Sequence, residues 1–373
     1  MAELRIEGRA APDLEPLVDV FAREFSRQQV GGAALAVLRD GEVLVDLRAG
    51  DHAIQGGRQL LFSVSKLITA VVCAMAVERG LLDIDEPLHR FWPEFDRQAT
   101  RGITLRMVLG HRSGLVGLHR DIPVEELIDG GLERRLGEET NPVWEPDTDH
   151  GYHAWSFGAL ISGAMARRTG LDVATFLRRY VNPAAASDIQ LGVGGSALDL
   201  APLIVQHLTP TPLQRAWAES SQSRFDALAR GALADIRVFN DPRVAEANWP
   251  ASNMMATAID IARVVDGVVS GRLIRPSTLS ELTATRSRGR DRVLGTRTHY
   301  GLGVQLPSVQ IPMLGPGSFG HEGAGGAMAV GVPHLGLAIG YTTNVLIGVK
   351  GASSGIQPLL SAIRHCAELG RGN

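Results

Sequence analysis

Ser63 and Lys66 stand three residues apart at the head of an apolar run, Leu67 to Val77. Residues at that spacing share one face of a helix, so the Lys66 amine can reach back to the Ser63 hydroxyl. A helix start also presents unpaired backbone N–H groups and the positive end of the helix dipole to a developing anion. A lysine whose pKa is lowered by burial or by cationic neighbours can act as a base near neutral pH. The pattern points to a serine nucleophile activated by lysine. Its plainer alternative is a serine N-cap followed by a solvated lysine in the first turn.

Two further clusters carry chemistry. In Gly151-Tyr152-His153-Ala154, a tyrosine placed between a turn-rich stretch and the next helix can point its phenol into a cleft and share a proton with Lys66. Otherwise it is an ordinary half-buried tyrosine. Gly320-His321-Glu322-Gly323-Ala324-Gly325-Gly326 introduces a C-terminal hairpin. Its glycines let backbone pass close to a ligand, where an N–H can serve an oxyanion, or else they form a turn without function. The pattern is not G-x-G-x-x-G and lacks the strand-then-helix context of dinucleotide binding. A competing nucleophile, Ser353, sits in Gly351-Ala352-Ser353-Ser354-Gly355, a match to the G-x-S-x-G elbow. That class needs an acid and then a histidine after the serine. Only His365 and Glu368 follow, in the wrong order and on one short helix, so a helix cap is the expected role of Ser353.

The elements that must position these residues are legible in outline. Leu14, Leu17, Val18, Phe21 and Phe25 recur at helical spacing over 13–28. Ala33–Leu38 and Val43–Leu47 read as strands joined by the tight turn Asp40-Gly41. Ala159–Met165, Val173–Tyr180 and the stretch from about Pro202 to Arg230 read as helical, and few strand signals occur between 83 and 250. Apolar strands return at Ala327–Val332 and Leu335–Thr343, joined by Pro333-His334, with a closing helix marked by Ile356, Leu359, Leu360 and Ile363. These patterns predict an α+β fold: an antiparallel sheet from both chain ends flanked by helices, plus a mainly helical lobe. The expected division is 1–82 with 251–373 for the sheet lobe and 83–250 for the helical lobe, with the site in the cleft between them.

Composition restricts the function classes. A net charge of −3 with scattered arginines gives no electrostatic reason to expect nucleic acid or an acidic membrane as partner. Cys73 and Cys366 lack metal-type spacing and fall on helical patterns, so both are expected as small core residues rather than a disulfide. No stretch approaches the ~18 apolar residues of a membrane span. The segment from Met1 to Glu7 lacks the basic and apolar regions of a signal peptide. A soluble cytoplasmic protein is the default expectation.

The order of S-x-x-K, the tyrosine motif and H-x-G at these separations resembles the serine β-lactamase and penicillin-binding superfamily. It is most similar to the esterase branch, the family VIII carboxylesterases and class C β-lactamase-like hydrolases. Leu61–Lys66, His111-Arg112-Ser113-Gly114-Leu115, Gly151–Ala154, Tyr300-Gly301-Leu302-Gly303-Val304 and Phe319-Gly320-His321 carry the resemblance across nearly the whole chain. It implies an acyl-enzyme mechanism without metal or organic cofactor, acting on a small-molecule acyl substrate. By resemblance Ser63 matches the nucleophile, Lys66 the general base and Tyr152 the proton relay. His321 and Gly323 match the third motif, whose strand, running into Ala324, supplies a second oxyanion N–H beside that of Ser63. Two departures matter. Ala154 stands where lactamases and D,D-peptidases carry Asn, and His321-Glu322-Gly323 replaces Lys-Thr-Gly. Both favour an esterase, with an acyltransferase using the same acyl-enzyme as the close rival.

Overall fold

The computed structural model describes residues 5–28, 31–118, 121, 123–192, 200–206, 236–347 and 356–369. Asp40 and Gly41 both take positive φ (51° and 86°), as a two-residue hairpin turn requires. They join β2 (Ala33–Arg39) to β3 (Glu42–Ala49), and β1 (Ile6–Ala10) pairs along the outer edge of β3. Near the C-terminus, β7 (Met328–Val332) and β8 (Leu337–Thr343) form a second hairpin around the 3-10 turn Pro333–Leu335, with β6 (Phe319–Glu322) beside β7. The two ends meet where β2 pairs with β8, Leu35 opposite Tyr341. The resulting six-stranded sheet is antiparallel throughout, in the order β1-β3-β2-β8-β7-β6.

Alternation along the central strands sorts their side chains between two cores. Leu35, Val37, Val330 and Ile339 bury against the terminal helices α1 (Pro16–Gln28) and α6 (Ile356–Leu369). Ala34, Ala36, Ala329 and Ala338 line the other face, where small residues admit helix α5 (Ala258–Val269) at close range. A Cβ at Gly340 would lie 2.2 Å from the Ala258 carbonyl oxygen, which shows how tight that approach is. Helix α2 (Val64–Glu78) joins the same core and is buried on every side from Val64 to Ala76. It accordingly has no polar stripe.

The remaining chain packs helices against α4 (Ser156–Thr169), which itself rests on α2. These include Leu105–Leu109 and α3 (Gly131–Glu139). A separate hairpin, β4 (Ser287–Arg290) with β5 (Arg297–Tyr300), reaches over the helical part, and the Ser287 hydroxyl donates to the Gly110 carbonyl. Gln305 then bridges Tyr300 to Gly320, linking that hairpin to β6. One expectation is corrected. Ile204–Gln206, inside the stretch read as helical, is a strand paired in parallel with Val345–Ile347. Its β-branched start and a partner far along the chain override the local helical period, and residues 207–230 of that stretch lie outside those described. Cys73 and Cys366 are buried free thiols.

Candidate active site

The turn into α2 is backbone-strained. Phe62 sits at φ 46° and hands the chain to Ser63, the residue at the N-cap position. The Ser63 hydroxyl makes no capping bond, so the N-cap alternative fails. Its Oγ instead lies 3.2 Å from Lys66 Nζ and accepts a 2.6 Å hydrogen bond from the Tyr152 hydroxyl. Lys66 is fully buried, not solvated, and its Nζ also donates to the carbonyls of Ala154 (2.9 Å) and Ala251 (3.0 Å). Among the described residues no carboxylate pairs with it, and burial holds its pKa well below the usual lysine value. A neutral amine keeps both carbonyl bonds and turns its lone pair toward Ser63 Oγ, the geometry of a general base. The two explanations left open by the sequence, burial or a cationic neighbour, thus resolve in favour of burial.

Tyr152 is buried and stacks on Tyr300 at 6.1 Å between ring centroids. Burial, reinforced by Glu322 and Asp291 and opposed by the bond to Ser63, raises its phenol pKa above the usual tyrosine value, so it keeps its proton. Its backbone is pinned from far along the chain: Asp291 Oδ1 accepts the N–H groups of Tyr152 (3.1 Å), Val293 and Leu294 (both 2.8 Å). Asp291 is fully buried in the turn of the β4–β5 hairpin. His153 points away from Ser63. Its Nδ1–H donates to the Gly151 carbonyl, leaving Nε2 to accept from the Ser113 hydroxyl, both at 2.7 Å. Burial pushes its pKa down to about 4, so it is a neutral strut. His111, at φ 58°, accepts the His153 N–H. The stretch His111–Leu115 therefore positions the tyrosine turn.

On the opposite side, β6 brings His321, Glu322 and Gly323 beside the turn into α2. A Cβ at Gly323 would lie 2.4 Å from the Leu61 carbonyl oxygen, so glycine is demanded by close approach, not by dihedral. The Gly323 N–H is occupied by the Ala327 carbonyl at 2.7 Å. Among the described residues the N–H groups of Ser63 and Ala324 have no acceptor, so Ala324 rather than Gly323 holds the free donor. His321 is fully buried, and burial, assisted by Lys66, pushes its pKa down to about 3. It is therefore neutral and brings no positive charge to the position of the missing lysine. Its Nδ1 donates to the Glu322 carbonyl, while Nε2 has no partner among the described residues. Glu322 is half-buried, its Oε2 shielded and without a partner among the described residues, and burial raises its carboxyl to about 7.

Ser63, Lys66, Tyr152, His321, Gly323 and Ala324 are thus gathered at one place, while Ser353 lies outside the described residues. Sequence reasoning missed Asp291, the Ala251 carbonyl and Gln305, whose Oε1 accepts the Glu322 N–H at 2.9 Å. Nothing local distinguishes an aspartate in a hairpin turn or a backbone carbonyl as part of a site. Among the described residues no group of three or more His, Cys, Asp or Glu is arranged to hold a metal ion, and no helix is long and apolar enough to cross a membrane.

A six-stranded antiparallel sheet carrying a buried S-x-x-K helix, a tyrosine hydrogen-bonded to Ser63 and an H-x-G strand opposite defines a β-lactamase-like fold. The chain belongs to the β-lactamase family, whose family model matches residues 14–355. It is similar over 98% of its length to the esterase/beta-lactamase LipL of Mycobacterium tuberculosis (strain ATCC 25618 / H37Rv), with 29% identity over 397 residues covering 90% of that protein. The crystal structure of a family VIII carboxylesterase superposes with a TM-score of 0.83 at 24% identity, over 97% of this chain and 100% of that one. A shorter match, 31% identity over 144 residues, joins 32% of this chain to 34% of monacolin J acid methylbutanoyltransferase from Aspergillus terreus.

Proposed function

We propose that the protein is a serine carboxylesterase for small or medium acyl esters, working through an acyl-enzyme on Ser63. One observation carries this: Ser63 Oγ lies between a buried lysine amine and a protonated phenol, 3.2 Å and 2.6 Å away. Lys66 takes the Ser63 proton as Oγ attacks the ester carbonyl, and the N–H groups of Ser63 and Ala324 receive the oxyanion. As the C–O bond breaks, Tyr152 gives its proton to the departing alkoxide and is reprotonated from the Lys66 ammonium. Water then attacks the acyl-Ser63, with its proton returning through the same pair and the acid released.

The Ala154 side chain offers no amide, and neutral His321 with Glu322 offers no fixed cation. Both features disfavour the amide and carboxylate of a β-lactam. Each lost buried partner costs about 1–3 kcal/mol. A short-chain acyl ester and a chromogenic cephalosporin assayed with one preparation should therefore differ in kcat/KM by at least about tenfold in favour of the ester. Comparable efficiencies would overturn the assignment. The similarity to a methylbutanoyltransferase favours one second reading, transfer of the acyl group from Ser63 to an alcohol or amine. Adding such acceptors to the assay distinguishes them, because a transferase yields new ester or amide at the expense of free acid.

A further inference from the structure

A cavity of about 320 Å³ opens between α3, α4 and the 248–252 loop and includes none of Ser63, Lys66 or Tyr152. Its room comes from small side chains. Ala159, Ser162 and Ala166 recur at helical spacing along the face of α4 that meets α3. Such a volume lies at the low end of small-molecule sites. Its walls mix apolar and acidic side chains. Two indoles, Trp155 and Trp249, face three carboxylate side chains, Asp129, Glu133 and Asp172, and among the described residues no lysine or arginine lines the space.

Four polar atoms in these walls have no partner among the described residues: Trp155 Nε1, Ser162 Oγ, Asn248 Oδ1 and Ser252 Oγ. Ser252 is 3% exposed, so bulk water does not solvate its hydroxyl. Burial raises the Glu133 carboxyl to about 7, against the pull of Arg167 and the neighbouring Ser162 hydroxyl, with Asp172 adding to the rise. A positive group beside it would restore its ionised form.

We propose that this cavity binds a protonated amine, held between the Glu133 carboxylate and the two indole faces. Asn248 Oδ1 accepts an ammonium N–H, and Trp155 Nε1 donates to an acceptor elsewhere on the ligand. Aromatic faces with an adjacent anion suit a desolvated ammonium group. The cavity is tied to the catalytic site through the backbone. Trp155 follows Ala154, and Ser252 follows Ala251, the two residues whose carbonyls hold Lys66. An occupant pressing on either side chain acts on the hydrogen bonds that set the lysine.

Calorimetric titration of the whole protein with n-butylammonium, 1-butanol and butyrate tests the proposal without relying on turnover. The amine should bind saturably and the neutral and anionic analogues should not. Glu133→Gln should weaken the amine by roughly tenfold or more, the loss of one hydrogen bond to a charged group. Ala166→Leu, which fills the space, should abolish binding. Both variants should keep wild-type turnover of a neutral ester, which also shows that they fold. In the wild type, affinity should rise with pH as Glu133 ionises near 7, and in Glu133→Gln it should not. Kinetics on a neutral ester then separate two sources of such a group. A free amine effector changes kcat, whereas an amine that raises KM alone occupies room belonging to an ammonium-bearing substrate. No binding, equal binding of 1-butanol, or an unaltered Glu133→Gln affinity would overturn the proposal.

Discussion

The two walls around Ser63 differ in how their polar atoms are satisfied. On the Lys66 side, the amine meets Ser63, Ala154 and Ala251, the phenol of Tyr152 meets Ser63, and Asp291 takes three backbone N–H groups. On the strand side, His321 Nε2, Glu322 Oε2 and the Ala324 N–H are without partners among the described residues. A buried polar group left unpaired costs about 1–3 kcal/mol, and such groups concentrate where something else completes them. The first wall is finished before substrate arrives and is suited to moving a proton. The second leaves donors and acceptors for the substrate to meet.

The comparison breaks first at Ser63, the proposed nucleophile. Ser63→Ala should lower kcat on a p-nitrophenyl acyl ester by about 10⁴-fold or more, by analogy with other serine nucleophiles, whereas Ser353→Ala should leave most activity. Residual turnover within tenfold of wild type in Ser63→Ala would move the nucleophile elsewhere. Next comes the pairing of Lys66 with Tyr152. Lys66→Ala and Tyr152→Phe should each cost ~10²–10⁴-fold, and the double variant should be little worse than the poorer single one. Clean multiplication of the two losses would mean the finished wall is not one unit.

Asp291 offers a smaller effect with a sharper signature. Asp291→Ala frees the tyrosine turn and should reduce kcat about 10- to 100-fold, the scale of a 1 Å displacement, with KM little changed. Asp291→Asn keeps an acceptor for the three N–H groups but removes the negative charge that helps keep the phenol protonated. Its kcat should be closer to wild type, and its alkaline limb should move to lower pH. An unmoved limb would limit Asp291 to backbone support.

The smallest effect belongs to the unfinished wall. The Glu322 carboxyl is neutral below about 7 and ionised above it. For an ester bearing a carboxylate, kcat/KM should fall as pH rises through that value, by about two- to fivefold for a partly screened charge. A neutral ester should not show this step, and Glu322→Gln should remove it. Persistence of the step in that variant would assign the titration elsewhere.

Much of this was legible because it depends on local spacing. The three-residue step from Ser63 to Lys66, the Asp40-Gly41 turn and the helical periods of α1 and α6 are properties of short segments. What escaped notice depends on distant partners. Asp291 looks like any turn aspartate until the β4–β5 hairpin is laid over Tyr152, and Ile204–Gln206 is a strand only because Val345–Ile347 lies beside it. The charge of His321 could not be judged from residue type, since only complete burial beside Lys66 decides that it is neutral.

The pairing of β2 with β8 also sets the timetable of the molecule's birth. At ~5–20 residues per second of synthesis, roughly 15–60 s pass between the appearance of Leu35 and that of Tyr341. Throughout that interval a central strand has an open edge, and the apolar helix behind Ser63 lacks half its cover. Such non-local topologies fold slowly and expose sticky surface while they wait. A ribosome-stalled chain ending before residue 337 should thus be insoluble without a chaperone, however complete its catalytic residues are.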